Sequence, residues 1–204
     1  MDPASASSPL GPVTSTTLLK GLEDPANQTV WQQYVGRYRP LIVRYAKKLD
    51  VPAEEAEDIA QATLLAFSKS YRAGKYERAK GRLSSWLFGI AKNEIRSSDR
   101  ARRGRLAAGS TEAEEGIAAL AAEDELEELW EREWRDAVFW ECLKLVRSEV
   151  KPETMRAFER FALDERPAGE VAAELGLTQN AVFGAKRRVL GRIRELLPLV
   201  EDAW

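Results

Sequence analysis

Apolar residues recur every three or four positions along most of the chain after Thr14, which is the spacing of one face of an α-helix. The pattern predicts helices over about residues 52–71, 84–103 and 126–145, and a further helix that opens at Pro152. Between residues 30 and 45 it predicts an amphipathic helix, or a pair of helices broken near Pro40. No stretch alternates as a strand does, so we predict an all-α fold.

Composition divides this helical chain into two small domains. Residues 1–13 are rich in Ser, Pro and Ala and are expected to be disordered. Residues 14–105 form the first predicted domain, and residues 125–204 form the second. The stretch 106–124 between them is rich in Ala, Gly and Glu and has weak periodicity, so we interpret it as an acidic linker.

The last part of the chain, residues 167–196, predicts two helices joined by a tight turn. Gly176 suits the left-handed conformation that ends a helix, and Thr178 is a typical N-cap for the next one. Ala172 and Val182 are spaced to pack where the helices cross. This is the pattern of a helix-turn-helix, whose second helix enters the major groove of DNA. The alternative is an ordinary helical hairpin with a solvated basic face.

The second helix of this pair has two distinct faces. Its predicted inner stripe consists of Val182, Ala185, Val189, Ile193 and Leu196. The outer face carries two glycines, which would let the backbone approach a surface closely. The candidate DNA contacts of this region are Thr178, Asn180, Phe183, Lys186, Arg187 and Arg188.

Charge is segregated along the chain. The formal net charge is only −2, which by itself argues against a nucleic-acid binder. However, basic residues dominate residues 92–105 and residues 183–194, whereas acidic residues crowd residues 112–133. The two basic segments therefore remain candidates for nucleic-acid contact.

Several kinds of chemistry are excluded. The sequence has no histidine, no glycine-rich phosphate loop and no cluster of metal ligands, so we expect no catalysis, no metal and no cofactor. Its one cysteine, Cys142, lies among apolar residues and is expected to be an inert buried thiol. No apolar run is long enough to span a membrane, and the first residues lack the features of a secretory signal. We therefore expect a cytoplasmic protein without membrane insertion.

The helix predicted from Trp86 to Arg103 carries the first basic segment. Its outer face combines cations, an amide and an aromatic ring beside a basic loop over residues 73–82, a combination suited to single-stranded nucleic acid. The residues concerned are Trp86, Lys92, Asn93, Arg96, Arg100 and Arg103. In the alternative interpretation the arginines are merely solvated and Trp86 belongs to the core.

Three segments in order resemble one known family. They are EAEDIAQATLLAF at residues 55–67, GRLSSWLFGIAKNEIRSSDRARR at residues 81–103, and the helix-turn-helix pattern. Together they resemble the extracytoplasmic-function sigma factors, the minimal bacterial transcription-initiation family, over roughly three-fifths of the chain. The resemblance implies a promoter-melting sigma domain two and a promoter-recognition sigma domain four. It implies core RNA polymerase and promoter DNA as partners.

The resemblance also implies roles for particular residues. Engagement of core polymerase is implied for Glu55, Glu57, Asp58 and Gln61, although acidic residues in a first helical turn also simply complement the helix dipole. The basic face of the Trp86 helix would hold the melted −10 strand, and the loop 73–82 would capture a flipped base. The outer face of the helix-turn-helix would read the −35 duplex, and the linker resembles the tether that passes through polymerase. An anti-sigma factor or a regulatory kinase would be a further partner.

The chain departs from the family pattern at several positions. Ala62 and Ser97 stand where acidic residues are common, and Phe183 and Ala185 stand where basic residues are common. Phe183 would then contact a thymine methyl rather than a phosphate. Phosphorylation of Thr63 would restore negative charge beside Ala62, although Thr63 otherwise fits a packing role inside its helix.

Two functions compete at this point. A sigma factor would require an asymmetric two-element promoter and would bind DNA weakly on its own. A free-standing helix-turn-helix regulator, whose N-terminal helices dimerise or bind a ligand, would recognise a symmetric operator without polymerase.

Overall fold

The computed structural model describes residues 15–107 and 122–204. The tail expected to be disordered lies outside the described residues. The expected acidic linker does so too, except at its ends, where one helix continues to Ala107 and the next begins at Glu123.

Every regular element in the described residues is a helix, which confirms the predicted all-α fold. The first part of the chain forms α1 (Ser15–Gly21), α2 (Gln28–Lys48), α3 (Ala53–Arg72), a short 3-10 turn (Arg78–Lys80) and α4 (Leu83–Ala107). The second part forms α5 (Glu123–Glu149), α6 (Pro152–Phe158), a π-helical segment (Glu159–Leu163), α7 (Ala168–Leu175) and α8 (Gln179–Ala203).

Between residues 30 and 45 the chain forms one helix rather than two. Helix α2 runs through Pro40 without a break, and the Asn27 side chain caps it by accepting a hydrogen bond from the Val30 amide at 3.2 Å. Proline removes one intrahelical hydrogen bond. Burial of Leu41, Ile42 and other residues around Pro40 holds the two halves in line against the core.

The chain folds into two compact units, and the boundary between them falls within α5. Residues 16–137 form one compact unit and residues 138–204 lie in a second, here called the N-terminal and C-terminal units. The sequence analysis predicts that the second domain starts at residue 125. In the structure, residues 125–137 of α5 belong instead to the N-terminal unit.

Aromatic rings fill the core of the N-terminal unit. Tyr34, Tyr38, Tyr45 and Phe67 are each fully buried. The rings of Tyr34 and Phe67 stack with centroids 5.7 Å apart, which joins α2 to α3. Burial raises the pKa of Tyr38 to about 12. Each ring of this size buries about 150–250 Å² of apolar surface.

The first half of α5 belongs to this core through two tryptophans. Trp130 is 1% exposed and meets Tyr45 edge-on at 5.1 Å, and its indole N–H donates a hydrogen bond to Ser84 Oγ at 2.9 Å. One turn later, Trp134 stacks on Tyr38 at 5.9 Å. The helix predicted here is therefore confirmed. The apolar face of its first half, however, covers α2 and α4 rather than helices of the second predicted domain.

A buried carboxylate with two partly exposed cationic partners lies beside these tryptophans. Glu133 is almost completely buried and accepts from Arg44 Nε at 3.0 Å and Lys48 Nζ at 2.5 Å. Burial by itself would raise the pKa of this carboxyl, but the hydrogen bonds and charges of Lys48 and Arg44 outweigh it and hold the pKa below its usual value. Glu133 is therefore ionised near neutral pH and links α5 to α2.

In the C-terminal unit, α7 and α8 pack around Val171, Ala172 and Val182, with Leu175 and Leu177 against this cluster. Cys142 is buried, as expected. Burial, together with the charges of Glu141 and Glu201, raises the pKa of its thiol to about 11, so the reactive thiolate is scarce at neutral pH.

Candidate nucleic-acid and polymerase interfaces

Helices α7 and α8 meet at the turn expected from the sequence. Gly176 has φ +66°, and its N–H donates to the Ala172 carbonyl to close α7. Leu177 N–H donates to the same carbonyl at 2.8 Å. Thr178 then caps α8 by accepting a hydrogen bond from the Ala181 amide at 3.2 Å. These bonds pair the backbone groups that helix ends leave unsatisfied and set the angle at which α8 leaves the turn.

The two faces of α8 are as predicted. All five residues of the inner stripe are buried. The six candidate DNA contacts are exposed, and they are Thr178, Asn180, Phe183, Lys186, Arg187 and Arg188. The structure therefore brings these side chains to one accessible surface at the start of α8.

An aromatic contact on this surface was not predicted. The ring of Phe161, from the π-helical segment, meets Phe183 nearly edge-on with centroids 5.4 Å apart. Lys186 Nζ lies 5.1 Å from the centroid of the same ring. Helical periodicity does not reveal this contact, because Phe161 fits the apolar face of the preceding helix equally well.

The basic face of α4 has both free and paired members. Asn93 and Arg100 are exposed, and Arg96 is half-buried. Arg103 pairs with the buried carboxylate of Asp99 at 3.0 Å, so part of its charge stabilises α4. The structure thus presents only some of the predicted −10 residues as available cations.

Trp86 is neither fully in the core nor fully exposed, so burial does not decide between the two interpretations of this residue. It is half-buried, and its ring meets Tyr76 edge-on at 5.4 Å. Tyr76 lies 6.2 Å from Tyr71 and 5.9 Å from Phe67. The partly exposed rings of Tyr71, Tyr76 and Trp86 are here called the loop aromatics, because Tyr76 lies in the loop between α3 and α4 and the other two lie on either side of it. No role was predicted for the two tyrosines, although their position at a basic loop can be seen in the sequence.

Lys92 is occupied by an acidic partner. Its ammonium group forms an ion pair with Glu123 and lies 5.2 Å from the Phe88 ring. The hydrogen bond from Lys92, its charge and that of Arg96 lower the pKa of Glu123. A carboxylate therefore stands where a nucleic-acid phosphate would have to bind Lys92.

The acidic positions of α3 are also divided. Glu55 accepts a hydrogen bond from Ser98 of α4, and Glu57 pairs with Arg39 of α2 at 2.8 Å. Asp58 and Gln61 are exposed. The first two carboxylates therefore also hold helices together, while Asp58 and Gln61 face solvent.

The Thr63 side chain is fully buried. This fits the packing role that the sequence also allowed for this residue, and it leaves the hydroxyl without solvent exposure in the folded chain.

Residues 34–105 match the family model of sigma-70 region 2. The segment starts in α2 and ends in α4, so it includes the acidic positions, the loop aromatics and the basic face. It covers about a third of the chain. The match supports a relation to the sigma-70 family over this segment. A comparison with curated proteins found no match.

In the described part of the chain, no helix has both the length and the apolar character needed to cross a membrane.

Proposed function

We propose that the chain is a sigma factor of the extracytoplasmic-function type, without catalysis of its own. It would bind core RNA polymerase through α3, hold the melted −10 strand on α4 and read the −35 duplex with α8. One observation carries the proposal: within the segment that matches sigma-70 region 2, exposed Asn93 and Arg100 share α4 with Trp86 of the loop aromatics. Cations that bind phosphates and rings that stack on bases are the two elements of a single-strand binding surface.

The proposed contact with the −35 duplex is supported by the C-terminal unit. Its short turn and exposed basic helix support duplex binding, and the exposed residues are the amide, aromatic and basic side chains that read base edges and phosphates. The proposed assignment to the −35 element follows from the pairing of such a helix with a region 2 segment in one chain.

Run-off transcription with purified core polymerase tests the proposal. We expect transcription from a subset of a promoter library when the chain and core polymerase are combined, and none from either alone. Promoters recovered in this way should contain two different elements and no dyad symmetry. A chain that supports no transcription but binds a symmetric duplex tightly by itself would instead be a free-standing regulator.

Replacing Trp86 and Asn93 by alanine should reduce promoter opening about tenfold to a hundredfold, because stacking on one base contributes roughly 1–3 kcal/mol. Permanganate reactivity of promoter thymines measures opening, and co-elution measures polymerase binding, which should be retained. Asn93→Ala alone changes only an exposed side chain and should show part of the loss. A double variant that loses polymerase binding and opening in parallel would assign these residues a folding role.

Glu123→Gln should raise the affinity of the free chain for a single-stranded −10 oligonucleotide roughly two- to fivefold, since it releases Lys92 for phosphate contact. Fluorescence anisotropy at several salt concentrations measures the change. Glu128→Gln is the matched control, because Glu128 is exposed on the same helix and its loss changes net charge equally. Equal gains in both variants would show a general charge effect and not release of Lys92.

A further inference from the structure

The segment before α7 has an unusual backbone. Residues Glu159–Leu163 form a π-helical turn in which the Asp164 amide donates to the Glu159 carbonyl, five residues back, at 2.9 Å. Glu165 follows with φ +54°, a left-handed conformation that non-glycine residues adopt at a cost. Such π-turns redirect side chains and often occur at functional sites.

This backbone directs Phe161 toward the exposed side of α8. Phe161 packs against the core of α7 and α8 on one side and contacts Phe183 and Lys186 as described above. Phe183 is 49% exposed. A phenyl ring on an open helix surface samples several rotamers, and contact with a fixed ring restricts that choice. Because the two contacted residues lie three positions apart on α8, one ring orients two neighbouring side chains.

We infer that Phe161 is a positioning residue for DNA reading: it holds the Phe183 ring in the orientation that contacts a thymine methyl group in the duplex. The inference rests on the proposed function, since it assumes that the outer face of α8 lies in the major groove. The thymine methyl is the contact already expected for Phe183 from the sequence; the inference goes further in naming a residue outside the recognition helix that determines this specificity. Thymine is the base whose major-groove edge carries a methyl group, so an ordered apolar ring discriminates by that group.

Deoxyuridine substitution isolates this contact, because deoxyuridine lacks only the methyl group of thymidine. The probe is a promoter duplex that supports run-off transcription, with each thymine of its upstream element replaced in turn. Affinity is measured for the holoenzyme that contains the full chain. We expect one position at which the unmodified protein loses about fourfold in affinity, the effect of burying one methyl-sized group.

Variants then assign the effect. Phe183→Ala should abolish discrimination at that position. Phe161→Leu keeps an apolar side chain in the core but removes the ring, and it should reduce the ratio of the two affinities toward one. Phe161→Tyr keeps the ring and should retain the roughly fourfold ratio. The double variant Phe161→Leu with Phe183→Ala should show the same affinity ratio for thymine and uracil as Phe183→Ala alone, because the two residues act through one contact. A merely structural role for Phe161 would lower affinity for both bases and leave their ratio unchanged.

Three results would overturn the inference: no methyl-sensitive position in the unmodified protein, full discrimination in Phe161→Leu, or loss of discrimination in Phe161→Tyr with a normal thermal unfolding curve. They differ from failure of the proposed function, in which the unmodified chain directs no transcription from any promoter and no probe duplex exists.

Discussion

Asp58→Lys is expected to weaken binding of the chain to core RNA polymerase by about two orders of magnitude or more, because it places a like charge where the proposed interface requires an acidic one. Asp58 is the best position for this test. Its side chain is exposed, whereas Glu57 pairs with Arg39 and Glu55 with Ser98. Charge reversal at either of those positions would disturb helix packing as well as binding. Co-elution with purified core polymerase and a titration of binding measure the effect.

Glu128→Lys provides a closely matched control. Asp58 and Glu128 are each exposed and each the sixth residue of a long helix, α3 and α5 respectively. Both lie beyond the first turn, where the helix dipole acts most strongly. Both variants should unfold within about 0.5 kcal/mol of the unmodified chain, and only Asp58→Lys should lose polymerase. Unchanged polymerase binding in Asp58→Lys would refute the assignment of α3 to this interface.

Trp130→Ala is expected to lower the free energy of unfolding by about 3–5 kcal/mol, the usual effect of removing a large buried aromatic side chain. The ring is enclosed by Tyr45 and Phe88, and its N–H is paired with Ser84. The variant leaves a cavity between α5 and the two helices that it covers. Urea denaturation followed by circular dichroism measures the loss. Trp130→Phe keeps most of the apolar area but no N–H donor, so its free energy of unfolding should lie between those of the unmodified chain and Trp130→Ala.

Trp140→Ala is the control for this prediction. Trp140 lies on the same helix but is 52% exposed, so its removal should change stability by about 1 kcal/mol or less. Equal losses in the two alanine variants would mean that the first half of α5 does not pack on α2 and α4.

The faces of α8 could be predicted from the sequence because helical periodicity alone defines them. Val182 and Val189 recur at the spacing that places them on one side, and both are buried. Gly176 and Thr178 were equally predictable, since the left-handed turn and the cap are properties of single residues.

The availability of the proposed site residues could not be predicted in this way. The sequence predicts Lys92 and Asn93 on the same outer face of one helix, yet Glu123 pairs with the first and the second is exposed. An ion pair between residues 31 positions apart depends on where the chain returns, and no periodic pattern contains that information.

The sequence by itself determined that the chain is helical, where most helices lie, and which positions of α8 face inward, because these follow from local spacing and residue type. Only the tertiary structure decided that the first half of α5 completes the N-terminal core, that Glu133 is buried beside Arg44 and Lys48, and that Phe161 contacts Phe183. An apolar stripe must be covered, but many partners can cover it equally well. The choice among them depends on how helices distant in sequence cross and pack.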